Sequence, residues 1–228
     1  MKKKLGFIVG IILFALVVVL GIAFYFVNEI SAKILLNEEV ESVSTLDLTK
    51  DSVDMNIKSK GKYAEVEKAI KNYFNDYAIH VQKILSIMND DEFVNVLSIE
   101  NYKSDGKDFV KTKEYIEKTK TDLNESFTKL IQITDAKEMI NYLDSNVGEK
   151  YVKLYQEYMY DDSIKKELEE SRSSLEESKE LLDHTIEVYE KVIAFLSQNK
   201  NGWNIENDQI VFDTQELLDQ FNQYLSEI

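Results

Sequence analysis

The chain has 228 residues, 30% of them charged, a formal net charge of −15, and neither cysteine nor proline. Without cysteine, disulfide frameworks, thiolate metal sites and thiol nucleophiles are excluded. Only four glycines (Gly61, Gly106, Gly148 and Gly202) lie beyond the first apolar run, which is too little turn chemistry for a sandwich or barrel, so the expected fold is mainly α.

The N-terminus opens Met1-Lys2-Lys3-Lys4 and then carries no charge through residues 5–27. At 1.5 Å per residue that run gives roughly 34 Å of helix, enough to span the hydrocarbon of a bilayer. It exceeds the length of a signal-peptide core, and the small pair Ser31-Ala32 beyond it lacks a small-x-small cleavage pattern. An uncleaved signal-anchor is therefore expected: residues 1–4 as a cytoplasmic stub, residues 5–27 as a transmembrane helix, and everything after it extracytoplasmic, since basic flanks stay inside. Beyond residue 28 the chain holds 42 acidic side chains against 24 basic ones. No basic stripe is available to neutralise phosphates, so nucleic acid is not expected as a partner. An acidic surface of this kind attracts cationic partners and keeps the domain soluble.

Residues 28–60 read as a stalk or linker. Its first part continues the helix outward, with Ile30, Ile34, Leu35, Leu36 and Val40 near one side. After Ser42 the helical period is lost, and Val53, Met55 and Ile57 alternate with Asp54, Asn56 and Lys58, the pattern of a short half-buried strand. Residues 61–200 read as an antiparallel helical bundle. Its first long helix carries Tyr63, Val66, Ile70, Tyr73, Tyr77, His80, Ile84 and Ile87 at 3–4 spacing, widened by Phe74, Val81 and Met88. Asn89-Asp90-Asp91 ends it and caps a short helix over 92–99.

From Gly106 a second long helix places Phe109, Ile116, Leu123 and Leu130 seven apart, with Thr112, Thr119, Ser126 and Ile133 between them. A third, over 163–198, repeats the scheme with Leu168, Leu175, Leu182, Tyr189 and Leu196, and with Ser171, Ser178, Thr185 and Val192 between. One large apolar residue per heptad is too thin for a free two-stranded coiled coil, but it suits helices packed closely in a bundle. Leu181, Ile186, Val188, Ile193 and Phe195 broaden this stripe, so the C-terminal end of the helix is expected to be the more deeply buried. Between these two helices lie 135–146, opened by the capping box Asp135-Ala-Lys-Glu138, and a helix over 147–160. Residues 201–228 close the chain with a hairpin at 203–212. Asn207-Asp208 is its two-residue turn, and Trp203 faces Phe212 as Ile205 faces Ile210. A lone hairpin is marginal, so it must lie on the bundle or pair with the strand near Met55. Asp213-Thr-Gln-Glu216 caps a final helix bearing Leu217, Leu218, Phe221, Tyr224 and Leu225.

Catalytic motifs are absent from the sequence: there is no H-E-x-x-H, P-loop, G-x-G-x-x-G, G-x-S-x-G or EF-hand loop. His80 and His184 are the only histidines; each reads as structural, with no second ligand residue close in sequence. Asp90-Asp91-Glu92 and Asp161-Asp162 sit at helix starts, where acids complement the dipole, and Glu167, Glu169 and Glu170 read as a solvated face. No enzyme activity, cofactor or metal is expected. The thirteen tyrosines stand out. Tyr151, Tyr155 and Tyr158, at i, i+4 and i+7, are the binding candidates if exposed, because tyrosine offers contact area at low entropic cost. The competing reading turns their rings into the bundle boundary with the hydroxyls wet.

Two segments carry a resemblance. GKYAEVEKAIK at 61–71, opening a helix, and WNIENDQIVF at 203–212, before a terminal helix, resemble uncharacterised single-span, membrane-anchored helical envelope proteins of Gram-positive bacteria. That resemblance implies a location in the cell envelope and a helical ectodomain, and no activity. Lys-Lys-Lys-Leu5-Gly6-Phe7 before a long apolar run also resembles the leader of type IV pilins, which implies cleavage between Gly6 and Phe7 and a filament role. That family's glutamate five residues into the mature chain is Ile11 here, and its β-sheet head is matched by a helical one. The function expected is a non-enzymatic module binding a protein or an envelope component. A small-ligand sensor bundle acting through a partner membrane protein and a pilin-like component are the alternatives.

Overall fold

A computed structural model describes residues 31–160 and 162–227. The expected stub at 1–4, the transmembrane helix at 5–27 and the pilin-like leader lie outside the described residues. Among the described residues no helix is long and apolar enough to cross a membrane.

The elements in chain order are α1 (Ser31–Ser44), α2 (Lys62–Met88), α3 (Asp91–Val94), α4 (Ile99–Asp105), α5 (Val110–Ile133), α6 (Ala136–Ile140), a 3₁₀ turn (Ser145–Val147), α7 (Glu149–Met159), α8 (Asp162–Gln198), β1 (Trp203–Glu206), β2 (Gln209–Phe212) and α9 (Gln215–Leu225). The protein is mainly helical, with one small antiparallel sheet near its C-terminus. It divides into two compact units whose boundaries cut across the long helices. One, the hairpin unit, comprises described residues 86–125 and 179–227; the other, the cluster unit, comprises 31–85 and 126–178. The unit that holds the hairpin also includes the C-terminal part of α8.

In the cluster unit, α1 buries Leu36, Val40 and Val43, spaced i, i+4 and i+7. Ile34 and Leu35, expected on that side, are 48% and 37% exposed, so the buried face is rotated from the one anticipated. The strand expected around Met55 does not form. Val53 is buried, but Met55 and Ile57 are exposed, so the alternation does not mark a buried face. Backbone groups here meet side chains instead of a neighbouring strand. Asp54 accepts the Asn56 amide at 3.0 Å, Glu67 accepts the Lys58 and Ser59 amides at 3.0 and 2.7 Å, and Gln82 Nε2 donates to the Leu48 and Asp51 carbonyls. Those bonds satisfy the main chain without a ladder. Helix α2 buries Val66, Ile70, Tyr73, Phe74, Tyr77, Val81 and Ile84 as its period predicts.

The thin heptads are buried along both repeats. Phe109, Ile116, Leu123, Leu130, Leu168, Leu175, Leu182, Tyr189 and Leu196 are all in the core. So are the small residues between them, Thr112, Thr119, Ser126, Ser171 and Ser178. The C-terminal half of α8 buries the denser set, Ile186, Val188, Tyr189, Val192, Ile193, Phe195 and Leu196. Asp90 caps α3 through the Glu92 amide, and Asp135 caps α6 through the Lys137 amide. Glu138 does not close a capping box; its carboxylate takes a 3.5 Å bond from Gln132. The cap of α9 is Thr214, one residue later than expected, its hydroxyl accepting the Leu217 amide at 3.3 Å.

In the hairpin unit, Trp203 pairs with Phe212 and Ile205 with Ile210. Asn207 and Asp208 take φ of 49° and 58°, the left-handed pair that a two-residue hairpin turn needs. Trp203 is buried, its indole donating to the Leu196 carbonyl at 2.8 Å. Phe109 stacks on it at 6.1 Å and Tyr102 meets Phe109 edge-on at 5.4 Å. Phe109 itself has a φ of 54°, a conformation costly for a bulky residue. Its full burial in this aromatic cluster holds it there. Phe195, Phe212 and Phe221 form a second aromatic group that seats α9.

Candidate functional site

The candidate tyrosines do not form an exposed row. Tyr155 and Tyr158 are buried, and Tyr151 is half-buried. The rings of Tyr155 and Tyr158 point inward as the competing reading holds, but their hydroxyls are bonded to protein groups. Tyr155 donates to the Met139 carbonyl at 2.8 Å and Tyr158 bonds the Asn37 side chain. Burial pushes the Tyr158 phenol up to about 12. Tyr151 packs edge-on against Tyr63 at 5.2 Å, with Lys150 over both rings.

His184 Nε2 meets the Glu227 carbonyl at 2.9 Å, and Asp183 beside it is paired with Lys179 at 2.6 Å. Among the described residues, no group of three or more histidine, aspartate or glutamate side chains converges on a position able to hold a metal ion.

The surface feature with binding geometry lies in the hairpin unit, where α5 and α8 run side by side. Two open grooves, of about 480 and 410 Å³, share Lys120 and follow the helix pair. Buried Ile116, Ile186 and Ile193 form the floor. These floor residues come from the apolar stripes of the two helices. The walls come from neighbouring positions of the same two helices, most of them charged. Lys120 bridges the pair through both oxygens of Glu190, at 2.8 and 3.0 Å. That contact holds its ammonium above the usual lysine range. Lys113 ties the same two helices through Ser197 at 2.8 Å. Lys120 and Lys179 are thus matched by Glu190 and Asp183 within the walls. Glu117, Glu125 and Glu187 line the grooves with no ion pair among the described residues. The result is an open groove with a net acidic rim over a buried isoleucine seam.

The cluster unit holds a charge network that the sequence reading missed. Lys71 is 1% exposed and donates to Glu39 at 2.7 Å, Glu67 at 2.8 Å and the Asn56 carbonyl at 2.6 Å. Lys58 approaches the other Glu39 oxygen at 2.8 Å. Burial alone would raise the Glu67 carboxyl, but bonds from Lys71, Ser59 and the Lys58 amide hold it below the usual range. Burial would likewise lower Lys71, yet Glu39 and Glu67 keep it raised. The visible signal was Glu67 and Lys71 at i, i+4 on the face that continues as Phe74 and Ala78. Glu39, far away in sequence, gave no sign.

No protein-family profile matches the chain, and no curated protein or solved structure matches it significantly.

Proposed function

We propose that the protein is a membrane-anchored, extracytoplasmic, non-enzymatic interaction module of the cell envelope. In this reading residues 5–27 hold it in the bilayer, and the α5–α8 groove docks a helix of a partner protein that presents apolar residues flanked by lysine or arginine. The groove carries the proposal. The groove supplies the seat for a helix, and Glu117, Glu125 and Glu187, which make no salt bridge among the described residues, supply charge selection and a faster encounter. The acid excess of the whole chain beyond residue 28 supports the same polarity of partner.

The test is site-directed photocrosslinking on intact cells, with the probe at Asn124 inside the groove and at exposed Lys118 as a control on the same helix. A single crosslinked species from position 124, absent from 118 and lost in Glu117→Lys/Glu187→Lys, is the expected result. Equal capture at both positions, or capture insensitive to the charge reversal, would refute docking in the groove.

A further inference from the structure

Of the large apolar side chains exposed among the described residues of the cluster unit, all but Ile79 fall in two short stretches. Ile34 and Leu35 lie in the first turn of α1, and Met55 and Ile57 lie in the segment before α2. Polar contacts tie the two stretches together. Lys71 Nζ is 2.7 Å from Glu39 on α1 and 2.6 Å from the carbonyl of Asn56, the residue between Met55 and Ile57. Lys58, next to Ile57, reaches the other Glu39 oxygen at 2.8 Å. Leu35 stands one helical turn before Glu39.

Along α1 the outward face changes character. Ile34 and Leu35 are exposed beside buried Leu36, so the start of the helix is apolar on both sides. From there on its exposed positions are Glu38, Glu41 and Ser42. A helix that is apolar all round at one end and amphipathic beyond it calls for a second apolar surrounding at that end. Charge divides in the same way along the chain. Residues 28–71 hold nine acidic and seven basic side chains, a net of −2, whereas residues 72–228 hold 33 acidic and 17 basic, a net of −16. Lys58, Lys60 and Lys62, all exposed, follow Ile57 directly.

We infer that this patch seats on the membrane interface, with Ile34, Leu35, Met55 and Ile57 in the headgroup layer and Lys60 and Lys62 toward the lipid phosphates. The inference rests on the proposed anchoring by residues 5–27. Given that anchor, the seven residues from Val27 to Ile34 span at most about 25 Å at full extension, so the start of α1 cannot leave the neighbourhood of the bilayer. Apolar residues rimmed by lysine are the chemistry of interfacial contact, and lysine stems lie along apolar surface while the ammonium stays wet. The near-neutral charge of this stretch avoids the repulsion that the acidic remainder of the chain meets at an anionic surface. Because Lys71 locks the two stretches to each other, the contact holds the cluster unit in one orientation on the membrane instead of letting it swing from its anchor.

The chain has no native cysteine, so single labels are straightforward. The full chain is reconstituted in vesicles of phosphatidylcholine and phosphatidylglycerol, with an environment-sensitive fluorophore on Leu35→Cys, Ile57→Cys, Ile79→Cys or Ala15→Cys. Emission is compared with and without lipids carrying a nitroxide beside the headgroup or deep in the acyl chain. Ile79 is the control, an exposed apolar residue of the same unit that lies eight residues beyond Lys71 on α2, about 12 Å along the helix. The headgroup nitroxide is expected to quench the labels at 35 and 57 several-fold more than the label at 79. No quenching at 35 and 57, or equal quenching at all three, overturns the interfacial seat. The label at 15 separates this inference from the reading beneath it. Quenching of that label by the deep nitroxide, with none at 35 and 57, refutes the seat and keeps the anchor, whereas no quenching at 15 refutes the anchor and the seat with it.

Discussion

The Lys71 ammonium sits 2.7 Å from Glu39 Oε2 although the two residues are separated by 32 positions and Lys71 is 1% exposed. With Glu67 and the Asn56 carbonyl it fills all three donor positions of the ammonium. Helix α1, the unpaired segment after it and helix α2 are joined at this one point. The segment over 31–60 is in this way fixed to the body of the cluster unit by charge as well as by Leu36, Val40 and Val43.

Removing the cation leaves two carboxylates facing each other in the interior. Lys71→Met is expected to cost about 3–5 kcal/mol, read as a fall in the urea midpoint with unchanged slope. A loss below about 1 kcal/mol would mean that the cluster is hydrated and structurally incidental.

The same cluster fixes a pH dependence. Glu67 is held below its unfolded range, so its contribution is complete above that range and is lost as pH falls through the folded value, on the acid side of about 4.3. Lys71 is held above its unfolded range, so its contribution persists below about 10.4 and is lost as pH rises beyond it. Urea midpoints should fall at both extremes. Glu67→Gln should flatten the acid limb, and an unaltered acid limb would remove Glu67 from the account.

Gly106 ends α4 with φ 75° and ψ 179°, a region open in practice to glycine alone. A Cβ there would meet nothing within 4 Å, so the penalty of substitution is purely conformational. Gly106→Ala is expected to cost about 1–3 kcal/mol. Gly106→Asn should not rescue it, because asparagine tolerates the left-handed helical region but not this one. Chemical denaturation of the two variants distinguishes the cases.

Trp203 is the only tryptophan, and it is held by Leu196 through its indole and by Phe109 through its face, with Lys107 4.7 Å above the ring. Trp203→Ala should cost about 3–5 kcal/mol. Trp203→Phe should cost less, because it gives up the indole bond while keeping an aromatic filler. The native fluorescence of the chain therefore reports on the hairpin unit, and a solvent-exposed emission maximum in the folded protein would contradict this packing.

How much of this could be read in advance depended on range. The hairpin was legible because Asn207 and Asp208 suit φ > 0 and because Trp203 and Phe212 fall on one face when the turn is closed. The long helices were legible because a period maintained over several heptads has no competing reading, and Thr112, Thr119, Ser126, Ser171 and Ser178 between the large residues are buried with them, while Thr185 is half-buried. The alternation of Val53, Met55 and Ile57 misled, because three residues cannot separate a strand from an extended segment. What decides it is whether a neighbour offers backbone or, as here, Glu67, Lys71 and Gln82 offer side chains. The tyrosine row of α7 was ambiguous at the level of exposure: Tyr155 and Tyr158 find acceptors in Met139 and Asn37, neither of which periodicity can place. The groove is a product of pairing, since Lys120 and Glu190 become its wall only once α5 and α8 lie together.

The proposed envelope role requires that residues 5–27 anchor the chain with the helical units outside. Intact cells producing the tagged protein, treated with external protease and followed by intact mass of the membrane fraction before and after, test this directly. Anchoring by residues 5–27 predicts a full-length mass before treatment and loss of the helical units after it. Units that survive protease until the cells are opened, or a mass short by the first six residues, would contradict it.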